Sequence, residues 1–237
     1  MTTERNMRTE ALIGKECCDR LSGSCVLLFG LGGVGGYVLE GLARAGVGEL
    51  WLVDFDTVSE SNCNRQLLAL TETVGRSKVE VAEQRTLSIN PEADVHGVEM
   101  FADGSNVGEL LDRARPDFVV DAIDTVAGKL AIIAESKARG IPVISCMGTG
   151  NKLDASKFTI GDISKSTVCP LARVMRTELR RRAIKGVTAL WSTEDPRRVS
   201  IEGETGRHAP ASISYVPSVA GLLLAGHVIR VLAGIDS

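Results

Sequence analysis

Three glycines stand in the pattern Gly30-x-Gly32-x-x-Gly35, with Gly33 among them, and Asp54 follows 19 residues after the last. Asn62, Arg65 and Gln66 come next, and then Lys78. These residue types suit a site that holds a nucleotide and breaks a phosphoanhydride. Gly30 permits a tight turn, Gly32 lets a phosphate approach the backbone with no Cβ in the way, and Gly35 lets a following helix pack closely. That helix would offer unpaired N–H groups and a partial positive charge to an anion. Asp54 can accept hydrogen bonds from ribose hydroxyls. A tight turn used only for packing is the plainer alternative. The usual next expectation, a nicotinamide cofactor, fits poorly. Hydride transfer has no evident need for Arg65 and Lys78 beside phosphate, whereas cleavage of a phosphoanhydride builds charge on phosphate oxygens that such cations offset.

The elements that must position these groups are legible. Cys25 to Phe29 is a short apolar run of buried-strand length, Val34, Val38, Leu42 and Ala45 recur at helical spacing, and Glu49 to Val53 is a second strand ending in Asp54. This is a βαβ nucleotide-binding unit. A polar loop carries Asn62, Arg65 and Gln66. Gly75 to Ile89 reads as a helix with Lys78 near its start, ended by Asn90-Pro91. Strands are expected at Asp94–Met100, Asp117–Ala122 and Pro142–Cys146, with helices at Asn106–Ala114 and Val126–Arg139 between them. Such crossovers predict an α/β fold: a doubly wound, mainly parallel Rossmann-like sheet with helices on both faces. Asp124 falls just past the carboxyl end of a strand, where open α/β sheets bind ligands. It could equally cap the next helix. Asp121, nearer the strand interior, reads as structural.

A helix is expected at Asn6–Leu21, before the first strand, and a strand and helix extension after the fifth. Gly148 to Asp154 is a glycine-rich polar loop on the substrate side. Lys157–Ile163 reads as a sixth strand. Leu171–Ala183 reads as a helix with Leu171, Val174, Met175, Leu179 and Ala183 on its apolar face and Arg173, Arg176, Arg180 and Arg181 on the other. Glu194 to Pro210 is a polar loop containing His208. Ile213 to Ala233 is strongly apolar but contains Pro217, His227 and Arg230, so it reads as a strand turn and a buried helix rather than a membrane span. The chain thus divides into an N-terminal helix (1–22), a nucleotide-binding core (23–150) and a substrate-side extension (151–237), all one domain.

The composition of the 237-residue chain, 44% hydrophobic and 24% charged, is that of a soluble globular protein. A net charge of −3 excludes a uniformly basic nucleic-acid coat, but not a patch. Lys165 to Arg207 carries ten Lys/Arg against five Asp/Glu, leaving the remainder at about −8. That stretch is a candidate contact for nucleic acid, or simply a solvated helix face. None of the six cysteines forms a C-x-x-C pair and the first twenty residues do not read as a secretory signal, so a reducing cytoplasm is expected. Cys169 precedes Pro170 at a helix start near arginines, which would favour a reactive thiolate. A small buried hydrophobe is the alternative.

The set GxGGxG (30–35), DxDxVxxSNxxRQ (54–66) and GxxK (75–78) resembles the ubiquitin-activating-like adenylating enzymes, which include the molybdopterin-synthase and thiamine-synthesis adenylyltransferases. The later stretches GNKLD, DISKSTVCPLARVMRTELRRR and SYVPSVAGLLLAGHVIR are most similar to the tRNA threonylcarbamoyladenosine dehydratase branch. The resemblance implies ATP as cosubstrate and Mg²⁺ on Asp124, the second acid of D-x-x-D. It makes Lys78 the catalytic lysine and has Arg8 reach the ATP phosphates of the other subunit of a homodimer. It implies tRNA as substrate and a cysteine desulfurase or sulfur acceptor as a possible partner. Many relatives hold zinc on two C-x-x-C pairs, a site this chain cannot build. The alternative within the family is activation of the C-terminus of a ubiquitin-like sulfur carrier protein.

Overall fold

The computed structural model describes residues 4–199 and 210–235. In chain order the elements are α1 (Met7–Ile13), α2 (Lys15–Ser22), β1 (Cys25–Phe29), α3 (Gly35–Ala45), β2 (Glu49–Asp54), α4 (Lys78–Ile89), β3 (Asp94–Glu99), α5 (Val107–Ala114) and β4 (Phe118–Asp121). They continue as α6 (Val126–Ala138), β5 (Val143–Cys146), β6 (Phe158–Asp162), α7 (Pro170–Arg181), β7 (Thr188–Ser192) and α8 (Tyr215–Ala233). The strands form one seven-stranded sheet in the order β3-β2-β1-β4-β5-β7-β6. All pairs are parallel except β6 with β7. Because β1 lies between β2 and β4, the connections diverge to opposite sides there. That switch point opens a crevice at the carboxyl ends of the strands.

The two-residue period of β1 sorts the core into layers. Val26 and Leu28 pack with Leu39 and Leu42 of α3, Val79 of α4 and Leu224 of α8. Leu27 and Phe29 point the other way, to Leu110 and Leu111 of α5 and Ile132 of α6. A third cluster joins Ile133 of α6, Met175 and Leu179 of α7, and Ala189 and Trp191 of β7. Small residues bring α8 against α3: a Cβ on Gly221 would lie 2.4 Å from the Val34 carbonyl oxygen, and one on Gly41 2.6 Å from Ala225 Cβ. α8 is long and apolar enough to cross a membrane, yet half of it is buried inside the protein.

Four expectations are corrected. The N-terminal helix is two helices, broken at Gly14, whose φ of 86° no helix accommodates. β7 was not anticipated: its five residues follow directly on a basic tract, and it is wedged between β5 and β6. On α7 the buried residues are Ala172, Met175 and Leu179, while Val174 is exposed and Ala183 lies beyond the helix at φ 56°. Among the described residues, 210–214 directly before α8 form no strand. The segment with His208 lies outside the described residues.

Candidate active site

A cavity of about 900 Å³ lies at the carboxyl ends of β1, β2, β4 and β5. The glycine loop after β1 forms its floor. Gly30 has φ +91°, and a Cβ there would be 2.8 Å from the Ala122 carbonyl oxygen. A Cβ on Gly35 would fall 1.7 Å from the Gly30 carbonyl oxygen, so both glycines are dictated by packing. Gly32 differs, since a Cβ there would meet nothing nearer than Gln66 Nε2 at 3.8 Å. Its missing side chain leaves room for a ligand. Val34, at the N-cap of α3, supplies no side-chain cap; Gly36 N–H donates to Gly32 O at 3.0 Å and Tyr37 N–H to Val34 O at 3.0 Å, so what the helix start offers an anion is chiefly its partial positive charge.

The loop after β2 supplies the acids and cations of one wall. Asp54 is 9% exposed, and both its carboxylate oxygens are engaged: Leu31 N–H donates to Oδ2 at 2.6 Å and Asp56 N–H to Oδ1 at 2.9 Å. Those bonds fix its orientation while leaving lone pairs for ligand hydroxyls. Lys78 opens α4 as expected but is not exposed as helix-opening lysines usually are. It is 4% exposed and lines the cavity, with Nζ donating to Asp56 Oδ2 at 2.8 Å. Its backbone N–H also donates to the Asp56 carbonyl at 3.1 Å. Ser77 caps α4 by accepting from Glu80 N–H. Arg65 lies over the glycine loop, its Cγ 3.5 Å from where a Gly33 Cβ would be. Its Nη1 donates to Ser61 O at 3.0 Å and Asn64 Oδ1 at 2.8 Å. Asn62 turns the chain by accepting from Ser59 N–H, and Gln66 N–H donates to the Asn62 carbonyl at 2.9 Å. All four of Asn62, Arg65, Gln66 and Lys78 line the cavity.

Beyond β4, Asp121 and Lys129 are fully buried together. Lys129 Nζ donates to both Asp121 oxygens at 3.1 Å and to Cys146 O at 2.6 Å, tying β4 to β5. Ile123 N–H donates to Asp121 Oδ1 at 3.3 Å, which steers the turn carrying Asp124. Asp124 is exposed on the cavity wall. It is not the helix cap that was its alternative: Thr125 holds the N-cap position of α6.

The far wall is the loop after β5 with the start of α7. Gly148 to Lys152, Cys169 and Leu171 line it. Cys169 is fully buried at the N-cap of α7, and its Sγ lies 3.7 Å from where a Gly148 Cβ would be. The neighbouring Cys146 is pushed up to about 12 by burial, so it stays a protonated thiol at neutral pH.

Two expected groups lie away from the cavity. Arg8 is exposed on α1, at the opposite end of the sheet, where Arg5 donates to Ile89 O at 3.1 Å and Asn6 abuts Gly46. It cannot serve its own chain's cavity. Of the α7 arginines, Arg173, Arg180 and Arg181 are exposed, with Arg181 paired to Glu178 at 2.7 Å. Arg176 is removed from that set, because it is half-buried and its guanidinium is spent on Ser166.

The ThiF family profile matches residues 3–237. The chain belongs to the ThiF family. It is 43% identical to the tRNA threonylcarbamoyladenosine dehydratase of Bacillus subtilis (strain 168), over 94% of this chain and 92% of that protein. The crystal structure of the Escherichia coli tRNA N6-threonylcarbamoyladenosine dehydratase in complex with AMP superposes with a TM-score of 0.90 at 30% identity, covering 98% of this chain and 95% of that one. The same E. coli protein in complex with ATP gives a TM-score of 0.88 at 29% identity, covering 99% and 97%. Within this ThiF-family site, sequence reasoning missed Asp56, which holds Lys78 from two residues past Asp54. The second acid of D-x-D was the available signal. Lys152, which is 4% exposed on the far wall, was read only as part of the substrate-side loop Gly148–Asp154 and given no role of its own.

Proposed function

We propose that this chain uses ATP to dehydrate threonylcarbamoyladenosine in tRNA, adenylating the threonyl carboxylate and releasing pyrophosphate and then AMP. The observation that carries the reading is the gathering of Gly32, Asp54, Arg65, Lys78 and Asp124 on one cavity in a chain that matches dehydratases along nearly its whole length. A carboxylate oxygen attacks the α-phosphorus, the bond to the β-phosphate oxygen breaks, and pyrophosphate leaves. The carbamoyl group of the same nucleoside then attacks the activated acyl carbon and loses a proton. AMP departs with the former carboxylate oxygen, so the nucleoside loses one water overall. No side chain need act as nucleophile.

Gly30 to Gly35 and the start of α3 cradle phosphate, and Asp54 holds the ribose. Asn62 and Gln66 shape the loop that delivers Arg65. Arg65 and Lys78 offset charge that develops on phosphate oxygens. The exposed Asp124 suits Mg²⁺, which takes one or two carboxylates alongside substrate phosphates and would neutralise phosphate charge there. The protein works as a cytoplasmic homodimer in which Arg8 completes the partner's site. Its position far from its own cavity supports that role. Arg173, Arg180 and Arg181 contribute phosphate contacts to tRNA, with the salt dependence such contacts carry. The segments 1–22, 23–150 and 151–237 act as dimer arm, nucleotide core and substrate side.

The test is AMP production from ATP with tRNA carrying threonylcarbamoyladenosine, and mass spectrometry of the digested nucleosides. AMP formation with loss of one water from that nucleoside is expected. Absence of tRNA-dependent turnover, with turnover on a ubiquitin-like carrier, would replace this reading by carrier adenylation. The shared site has its own test. Mixing Arg8→Ala with Arg65→Ala protein should recover about a quarter of wild-type activity, since half of random dimers regain one intact site. No recovery would place Arg8 outside the reaction.

A further inference from the structure

Lys152 is a largely buried lysine on the cavity wall that has no hydrogen-bond partner among the described residues. It is 4% exposed, and no ion pair holds it among those residues. An ammonium taken out of water is costly unless something pairs with it. The acid whose field it feels, Glu194, is committed elsewhere. Glu194 accepts from Leu153 N–H at 3.1 Å and from Asp154 N–H at 2.9 Å. Burial opposes ionisation of Glu194, but those backbone donors, and then the Lys152 charge, hold its carboxyl below the usual range.

The loop that carries Lys152 is held from several sides. Asn151 adopts φ 60°, its N–H donates to Ala211 O at 2.8 Å, and its carbonyl accepts from Arg197 N–H at 2.8 Å. A Cβ on Gly150 would be 2.5 Å from Pro210 Cβ, so the chain there has no freedom to withdraw. Tyr215 Oη donates to Leu153 O at 2.6 Å. The loop therefore holds Lys152 on the wall opposite Asp54 and Lys78, past Asp124 in sheet order from β2 through β4 to β5. The N-terminus of α7, whose N-cap residue Cys169 offers no side-chain cap, adds partial positive charge on the same wall.

We infer that Lys152 binds the substrate carboxylate that attacks the α-phosphorus, making the Gly148–Lys152 wall the acceptor subsite. This rests on the adenylation reading above. Asp54 lies at the far end of the cavity, so a nucleotide whose ribose it holds would run its phosphates toward Asp124, leaving Lys152 at the acceptor side. A carboxylate there has its charge balanced by Lys152 without competing for Arg65 or Lys78, which face the phosphates from the other wall.

The experiment compares wild type with Lys152→Ala, Lys152→Met and Lys152→Arg. ATP affinity is read by calorimetry, and turnover is titrated against tRNA carrying threonylcarbamoyladenosine. In the Ala and Met variants, ATP affinity should stay within about twofold while kcat/KM for the tRNA falls by about 100-fold; Arg should restore part of it. Met keeps the apolar stem, so a loss shared by Ala and Met reports the charge, and intact ATP binding reports the fold. A tenfold loss of ATP affinity would make Lys152 a phosphate ligand and overturn the inference, as would unchanged turnover. If the wild type itself gives no tRNA-dependent AMP, the adenylation reading fails, and the inference with it. A wild type that turns over, beside Ala and Met variants that keep its turnover, overturns the inference alone.

Discussion

The two walls of the cavity are built differently. On the wall from β2 and α4, each chemical group already has an internal partner: Asp54 is held by two backbone N–H groups, Lys78 by Asp56, and Arg65 by Ser61 and Asn64. On the wall from β4, β5 and α7, Asp124 and Lys152 face the cavity without such partners among the described residues. The first wall is preorganised before any ligand arrives, which is what electrostatic stabilisation of a developing charge requires. The second leaves its charges to be satisfied by what binds. On the proposed reading, the protein fixes the nucleotide side, and what binds completes the acceptor and metal side.

The comparison breaks most sharply at Arg65 or Lys78. Replacing either with Ala should lower the rate of AMP formation by about 10³-fold, because charge on the transferring phosphate loses a preset cation. Single-turnover assays with saturating ATP would show it in the chemical step. An effect confined to KM for ATP would mean that these groups bind the ground state and that the wall is not preorganised for the transition state.

The next largest effect is on stability, at the seam between the walls. Lys129→Met strands the Asp121 carboxylate in a fully buried position and should cost about 3–5 kcal/mol. Urea denaturation would read this as a lower midpoint. A neutral result would mean that Ser145, which donates to Asp121 Oδ2 at 2.5 Å, satisfies the carboxylate by itself.

Asp56 tests whether positioning alone matters. Asp56→Asn keeps a hydrogen-bond acceptor near Lys78 but removes the charge. It should reduce turnover by about 10- to 100-fold with little change in ATP affinity, since Lys78 would keep its place and lose its constraint. A loss as large as that of Lys78→Ala would give Asp56 a direct part in the chemistry.

How far these walls could be read in the sequence follows the same division. β1 runs from Cys25 to Phe29 and α4 ends at Ile89 as expected, because local patterns specify them: an apolar run bounded by glycine, and a helix stopped by Asn90-Pro91. Gly30, Asp54, Arg65 and Lys78 share short spacings that local backbone geometry imposes, so one stretch of chain reveals them. The other wall is assembled from β5, α7 and segments near residues 197 and 211, which only the tertiary fold brings together. Lys152 was therefore legible only as part of the substrate-side loop, with nothing local to single it out. β7 went unseen because five residues sandwiched between two strands are specified by their neighbours and not by their own period. The helix expected over Asn6–Leu21 ran through Gly14, and only the positive φ there reveals the break.

The smallest expected effect tests whether the preorganised wall is braced from behind. Glu40 on α3 accepts from Arg85 of α4 at 2.7 and 3.1 Å and from Arg44 at 2.7 Å, joining the helix that follows the glycine loop to the helix that carries Lys78. Burial opposes its ionisation, but Arg85 and then Arg44 outweigh that and hold its carboxyl below the usual range. A depressed folded-state pKa contributes stability that is present above the ordinary glutamate value and lost as pH falls through the depressed one. Glu40→Gln should therefore cost about 1–2 kcal/mol at neutral pH and progressively less below about pH 4.5, where the wild-type carboxylate also becomes neutral. Thermal melts from pH 7 to pH 3 would show the two curves converging on the acid side. Curves that stay parallel would mean that Glu40 contributes through packing and not charge, leaving α3 and α4 joined by their apolar contacts alone.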